Sequence, residues 1–275
     1  MKEAYSRLLV GIIGPPLILF AIIFGKFIFL IFIIILFSLG LREMDHISRK
    51  KGIQQNKTVI ALFSIIFFLA SFYGKSEYFI VIIILFPIVL LISELYREGQ
   101  NHILNVASSF FSFFYLGMFL GSIILIREYS GHTGKIEYHD AGKIVVIMFI
   151  SVWICDTAAY YVGKGIGKHS LFLRISPRKT VEGAAAGFIG SIITVLIFYF
   201  LDFIRFFSLI DYLIFGLITG IAGQFGDLIE SMIKRDADIK DSSKIIPGHG
   251  GVLDRFDSII FVSPIIYLYL NLKVF

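Results

Sequence analysis

The residues with the widest chemical range lie in the last third of the chain. Gly226-Asp227 is followed by Glu230, Ser231 and Lys234-Arg235. On a helix, Gln224, Asp227, Ser231 and Lys234 are three or four residues apart and share one face. In an apolar helix such a face points into a protein cavity, because ionised groups in hydrocarbon are costly. The competing reading is a set of intrahelical pairs, Asp227–Lys234 or Glu230–Lys234, at a helix end. Lys240-Asp241, Pro247-Gly248-His249-Gly250-Gly251 and Asp254-Arg255-Phe256-Asp257 come next. Glycines such as Gly250 and Gly251 let the backbone approach a ligand and present N–H groups to an anion. Lys234, Arg235, Lys240 and Arg255 can neutralise a polyphosphate. Asp227 and Asp254 can hold Mg²⁺, which takes one or two carboxylates plus substrate phosphates. This is the equipment of phosphoryl or nucleotidyl transfer, where positioning and charge neutralisation do most of the catalysis.

A second group precedes it: Trp153, Asp156, Ala159-Tyr160, Gly163, Gly167-Lys168, then the run Ser176-Pro177-Arg178-Lys179-Thr180-Val181-Glu182-Gly183. Asp156 sits in an apolar run and needs a partner, a metal or a cavity. Ser176-Pro177 reads as a helix-start turn offering hydroxyl and ammonium groups to phosphate, or as a cap with topogenic lysines. The stretch from Gly163 to His169 is not a P-loop: its glycine spacing is wrong and His169 replaces Ser or Thr. His249 is a positioning residue rather than a general base. With no His/Cys cluster, zinc is not expected.

The elements that must position these groups are membrane helices. Hydrophobic residues make up 57% of the chain and charged residues 16%, with a mean hydropathy of +0.86. An average soluble domain is about 45–50% apolar and about 25% charged. A span needs roughly 20 apolar residues. Nine candidate runs cover residues 8–25, 27–41, 58–73, 78–93, 106–126, 144–162, 183–201, 209–229 and 256–272. The expectation is an all-α integral membrane protein of about nine transmembrane helices. Residues 1–275 then form one polytopic domain, with scaffold helices over 1–143, in contact with lipid, and catalytic helices over 144–275. Alternating the loops puts 18 of the 25 basic residues on one side. The excess of Lys and Arg on cytoplasmic loops places the N-terminus and the three most basic loops in the cytoplasm of a multi-pass cell-membrane protein. The net charge of +5 reads as topology and anionic lipid, not nucleic acid. Cys155, the one cysteine, reads as a small buried packing residue.

Ser231-Met232-Ile233-Lys234-Arg235, then Lys240-Asp241, then Pro247 and His249-Gly250-Gly251-Val252-Leu253-Asp254-Arg255-Phe256-Asp257 resembles the signature of the phosphatidate cytidylyltransferases, the CDP-diacylglycerol synthases. Trp153, Asp156, Ala159-Tyr160, the Ser176–Gly183 run and Gly226-Asp227 with Glu230 look like further family motifs, with Arg178 where a second lysine is common. The resemblance implies multi-spanning enzymes that require Mg²⁺ and pair as homodimers. It implies that CTP and phosphatidic acid give CDP-diacylglycerol and pyrophosphate by direct attack of the lipid phosphate. Under that reading Asp227 and Asp254 bind metal. Lys234, Arg235, Lys240 and Arg255 grip phosphates, with Asp241 and His249 orienting them. Ser176, Lys179, Thr180, Glu182, Ser231, Gly250 and Gly251 contact substrate. Asp156, Tyr160, Glu230 and Asp257 support the others. A transporter would account for Asp156, Asp227 and Glu230 but not for the basic, glycine-rich run. A kinase of polyprenols or a synthase of CDP-activated ether lipid would use CTP with another acceptor.

Overall fold

The computed structural model describes residues 2–129, 136–243 and 250–273, with side chains from residue 11 onward. Nine helices occur among the described residues, one over each apolar run. They are α1 Lys2–Phe24, α2 Lys26–Lys50, α3 Lys57–Phe72, α4 Glu77–Leu95, α5 His102–Arg127, α6 Tyr138–Ile166, α7 Val181–Phe200, α8 Leu209–Asp236 and α9 Leu253–Leu272. Six of them, α2 and α4 to α8, are long and apolar enough to cross a membrane. Of the nine expected spans, six are supported by length and composition among the described residues. Among the described residues α1 contributes the apolar stretch Gly11–Phe24, and α3 has 16 residues. Helix α9 begins with Asp254, Arg255 and Asp257 and is not among the six.

The all-α expectation needs one correction. Ser170–Phe172 (β1) and Ser176–Thr180 (β2) pair as an antiparallel hairpin between α6 and α7. The helix-start turn expected at Ser176-Pro177 is therefore a strand. Proline has no N–H to donate and biases the residue before it towards extended backbone, so the helix is deferred. Its true N-cap is Thr180, whose Oγ1 accepts from Gly183 N at 3.1 Å.

Helices α6 and α7 pack through small residues, which give closer backbone approach than branched side chains allow. A Cβ on Gly183 would lie 2.6 Å from Ala159 O, and one on Gly187 would lie 2.8 Å from Cys155 O. Cys155 is buried here, as expected of a packing residue. Helix α8 runs antiparallel to α9 and is pinned to it at both ends. At the far end Ser208 and Asp211 form a capping box, and buried Asp211 also bonds Tyr269 of α9 and Lys273 just after it. At the near end Lys234 meets Asp254. Between them Gly226 lies so near α9 that a Cβ would come within 2.7 Å of Asp257 O.

Away from the hairpin, Arg127 ties the N-terminal helices to α6. Its side chain is fully buried and donates to Ile22 O at 2.7 Å, Ile23 O at 3.2 Å and Tyr138 O at 3.2 Å. A guanidinium at the last carbonyls of α1 satisfies acceptors that the helix leaves open.

The α6–α7 contact yields a test. Gly187→Leu should overpack it and cost about 1–3 kcal/mol, seen as a lower thermal midpoint in detergent. Gly11→Leu, at a position with nothing within 4 Å, should leave that midpoint unchanged.

Candidate active site

Lys234 is the hub of the near end. It is 8% exposed, one turn after Glu230 (1% exposed) on α8, and its ammonium lies against the carboxylates of both Glu230 and Asp254. Of the two intrahelical pairs that spacing allowed, Glu230–Lys234 is the one formed. The other oxygen of Asp254 accepts from Ser242 N at 3.1 Å, Ser242 Oγ at 2.9 Å and Gly251 N at 2.7 Å. Asp254 thus ties Ser242 to Gly251. Gly250 makes the bend with φ +84°, and a Cβ there would sit 2.7 Å from the Asp254 carboxylate.

Asp227, two turns before Lys234, faces a different partner. Its Oδ2 lies 2.5 Å from Nζ of Lys179 in β2, and its Oδ1 accepts from Ser231 Oγ at 3.4 Å. Both Asp227 and Lys179 line a cavity of about 600 Å³ with Asp156, Tyr160, Lys164, Arg178, Thr180 and Gln224. Pockets for small ligands usually span about 300–1,000 Å³. Gln224 is held by its amide, which donates to Ala184 O at 3.0 Å and Gly220 O at 2.6 Å. Asp156 is close enough to Asp227, Lys179 and Arg255 for their charges to act on it, and buried Asp257 is close to Asp156, Asp227 and Glu230. The cavity therefore sets carboxylates from α6 (Asp156) and α8 (Asp227) against cations from the hairpin (Arg178, Lys179) and from the end of α6 (Lys164). Such a wall can hold a polyphosphate with a divalent cation between it and the carboxylates.

The cytidylyltransferase family model matches residues 5–273. The chain belongs to the cytidylyltransferase family. It is accordingly an enzyme of the nucleotidyltransferase class. The phosphatidate cytidylyltransferase of Bacillus subtilis is 33% identical over 281 residues, covering 99% of both chains. That of Staphylococcus saprophyticus is 33% identical over 267 residues, covering 96% of this chain and 98% of its own. That of Staphylococcus aureus strain COL is 32% identical over 269 residues, with the same coverage.

Within this cytidylyltransferase the residues singled out by sequence do not all fall in one place. Asp156, Tyr160, Lys179, Thr180 and Asp227 meet at the cavity. Glu230, Lys234, Gly250, Gly251 and Asp254 form the buried knot beside it, with Ser231 turned to Asp227. Arg235 leaves both. Its guanidinium donates to Ile175 O at 3.3 Å and Ile239 O at 3.0 Å, and it lines a separate cleft of about 640 Å³ with Lys51 and Arg174. Glu182 binds the hairpin from inside, with His169 Nδ1 at 2.6 Å and the Lys168 N–H at 3.1 Å. Ser176 pairs with Phe172 in the hairpin. Lys240 and Asp241 are exposed in the loop after α8. His249 lies outside the described residues.

Other groups had no sequence signal strong enough to select them. Lys164 lines the cavity, together with Gln224 and Arg178, which the sequence reading named without giving them a site role. Tyr115 sits in a π-helical turn, Phe113–Phe119, of a kind often found at functional sites. Its buried hydroxyl has no hydrogen-bond partner among the described residues, and the ring lies near the charges of Asp257, Glu230 and Asp227. Glu43, from the N-terminal half, reaches the signature loop itself. Aromatic and acidic residues of an oily chain are too common to flag Tyr115 or Glu43 without the fold.

The Lys234 knot predicts its own failure. Lys234→Met should destabilise the protein by about 3–5 kcal/mol, because two buried carboxylates lose their ammonium. The double variant Lys234→Met/Glu230→Gln should recover part of that loss in the same detergent melt.

Proposed function

We propose that this cytidylyltransferase transfers the cytidylyl group of CTP to phosphatidic acid, forming CDP-diacylglycerol and releasing pyrophosphate. The observation that carries this reading is the cavity wall, where Lys164, Arg178 and Lys179 face Asp156 and Asp227 beside apolar helices. A nucleotide and a lipid headgroup can meet there without the lipid leaving its bilayer. The full-length similarity to enzymes named for phosphatidate supports the acceptor.

The lipid phosphate is already an anionic nucleophile. One of its oxygens bonds the α-phosphorus of CTP, the bond from that phosphorus to the bridging oxygen of the β-phosphate breaks, and pyrophosphate leaves with the electron pair. No serine or cysteine need be activated. Lys179 and its cationic neighbours stabilise the charge growing on the leaving group. Thr180 offers a hydroxyl, and Tyr160 a face on the same wall.

The donor chemistry fits Mg²⁺ shared with substrate rather than caged by protein. Among the described residues no three His, Cys, Asp or Glu are disposed to hold an ion by themselves. Asp227 and Asp254, the carboxylates offered to it, each already face an ammonium, from Lys179 and Lys234. A cation thus stands beside each carboxylate before any metal binds. Asp227 and Asp254 would be the protein ligands, and the metal would neutralise phosphate oxygens.

In this reading the site faces the cytoplasm and so does the N-terminus. The ends of α2, α4, α6 and α8 that carry most of the basic residues gather at one end of the bundle. There Lys51 binds Asp236 O and Arg97 binds Gln54 O. Cytoplasmic CTP is then available to the cavity.

Purified protein given CTP, Mg²⁺ and phosphatidic acid should release pyrophosphate and form CDP-diacylglycerol, with GTP and dATP inactive. Absence of the lipid product would refute the assignment. Asp227→Asn and Asp254→Asn should each lower turnover by at least about 100-fold in protein that still elutes as a folded species. Near wild-type turnover from either would remove that residue from the metal site.

A further inference from the structure

Helix α9 starts without a cap of its own. Val252 occupies the N-cap position and makes no side-chain cap hydrogen bond. The first N–H groups of a helix have no partner within it and favour negative charge. Here the partner comes from α2, about two hundred residues away. Glu43 is 1% exposed, and its carboxylate accepts from Val252 N and Leu253 N, each at 2.9 Å. It also accepts from Ser243 Oγ at 2.6 Å and Ser242 Oγ at 2.9 Å. Each carboxylate oxygen therefore takes two donors, one from the helix start and one from the loop that follows α8.

Two further contacts join this cap to the knot described above. Ser242 Oγ is 2.9 Å from Glu43 and 2.9 Å from Asp254, and its single proton links the two carboxylates. Gly251 passes between them so closely that a Cβ would lie 2.5 Å from Glu43 Oε2. The path is then Glu43, Ser242, Asp254, Lys234, Glu230, joining α2 to α9 and α8.

We propose that Glu43 is a positioning residue of the active site. By capping α9 and holding Ser242 and Ser243, it sets where Asp254 stands against Lys234, beside the cavity. Glu43 touches no reacting atom, and it acts through Ser242 and Ser243 on one side and the Val252 and Leu253 N–H groups on the other. The proposal rests on the cytidylyl-transfer reading only where turnover is measured.

The test is Glu43→Gln in the full-length protein. The amide keeps the size but turns one oxygen into a donor that faces other donors. Amide hydrogen exchange at Val252 and Leu253 should accelerate about 10–100-fold, with α6 and α7 unchanged. With CTP and phosphatidic acid, kcat should fall about 30–100-fold while KM for CTP moves less than about threefold. A merely structural role would lower the melting temperature without this split. If Glu43→Gln does not fold, Ser243→Ala removes one donor and should give the same pattern at about 3–10-fold. Unchanged exchange at Val252 and Leu253 overturns the proposal, as does faster exchange with turnover within about twofold of wild type. Wild-type protein that does not turn over CTP sinks the functional reading instead, and the exchange data still judge the anchor.

Discussion

An ammonium buried among helix ends must be neutralised where it stands, and the pairing of Lys234 with Glu230 and Asp254 does this. Removing a charge from water costs several kcal/mol, and only close, well-bonded partners return it. Glu230 is supplied by the same helix at one turn's spacing. Asp254 has to be brought from the next helix. That requirement draws the start of α9 against the end of α8, and the glycines at Gly226, Gly250 and Gly251 remove the side chains that would obstruct it.

The cavity follows from this arrangement together with a second one. Small residues let α6 and α7 lie close, so that Asp156 and Asp227 look across at Lys179 on the hairpin between them. The hairpin is short and carries its cations on a strand next to a helix N-terminus. It is braced by Glu182, which accepts from the Lys168 and His169 N–H groups. The same run of residues thus provides both cations of the cavity wall and the brace that keeps them in place. Family membership and the cavity's polarity converge on nucleotidyl transfer.

The two halves of the chain divide the work less cleanly than hydropathy suggests. Residues 1–143 read as scaffold, and most of their contacts are apolar. Yet Glu43 crosses to the signature loop, and the π turn of α5 puts Tyr115 near the acidic wall. Tyr115 is a buried polar group in an oily helix and Glu43 a buried carboxylate at the charged end of α2, settings where the cost of desolvation demands a partner or a function. Their chemistry was visible in the chain, but their targets were not.

What the sequence determined by itself was the solvent and the chemistry. Apolar runs located the nine helices of the described residues to within a few residues at most ends, because hydrocarbon allows few alternatives to a helix. Residue types from Ser231 to Asp257, with Asp156 and the Ser176–Gly183 run, pointed to phosphate and metal chemistry. Local spacing also allowed the Glu230–Lys234 pair, since i,i+4 geometry is a property of the helix alone. The tertiary structure decided the partners. Asp227 meets Lys179 rather than Lys234, Arg235 turns to the carbonyls of Ile175 and Ile239, and Glu43 caps a helix far along the chain. Pairing across helices depends on which faces the small residues allow to touch. That is settled by packing in three dimensions, and sequence distance carries no trace of it.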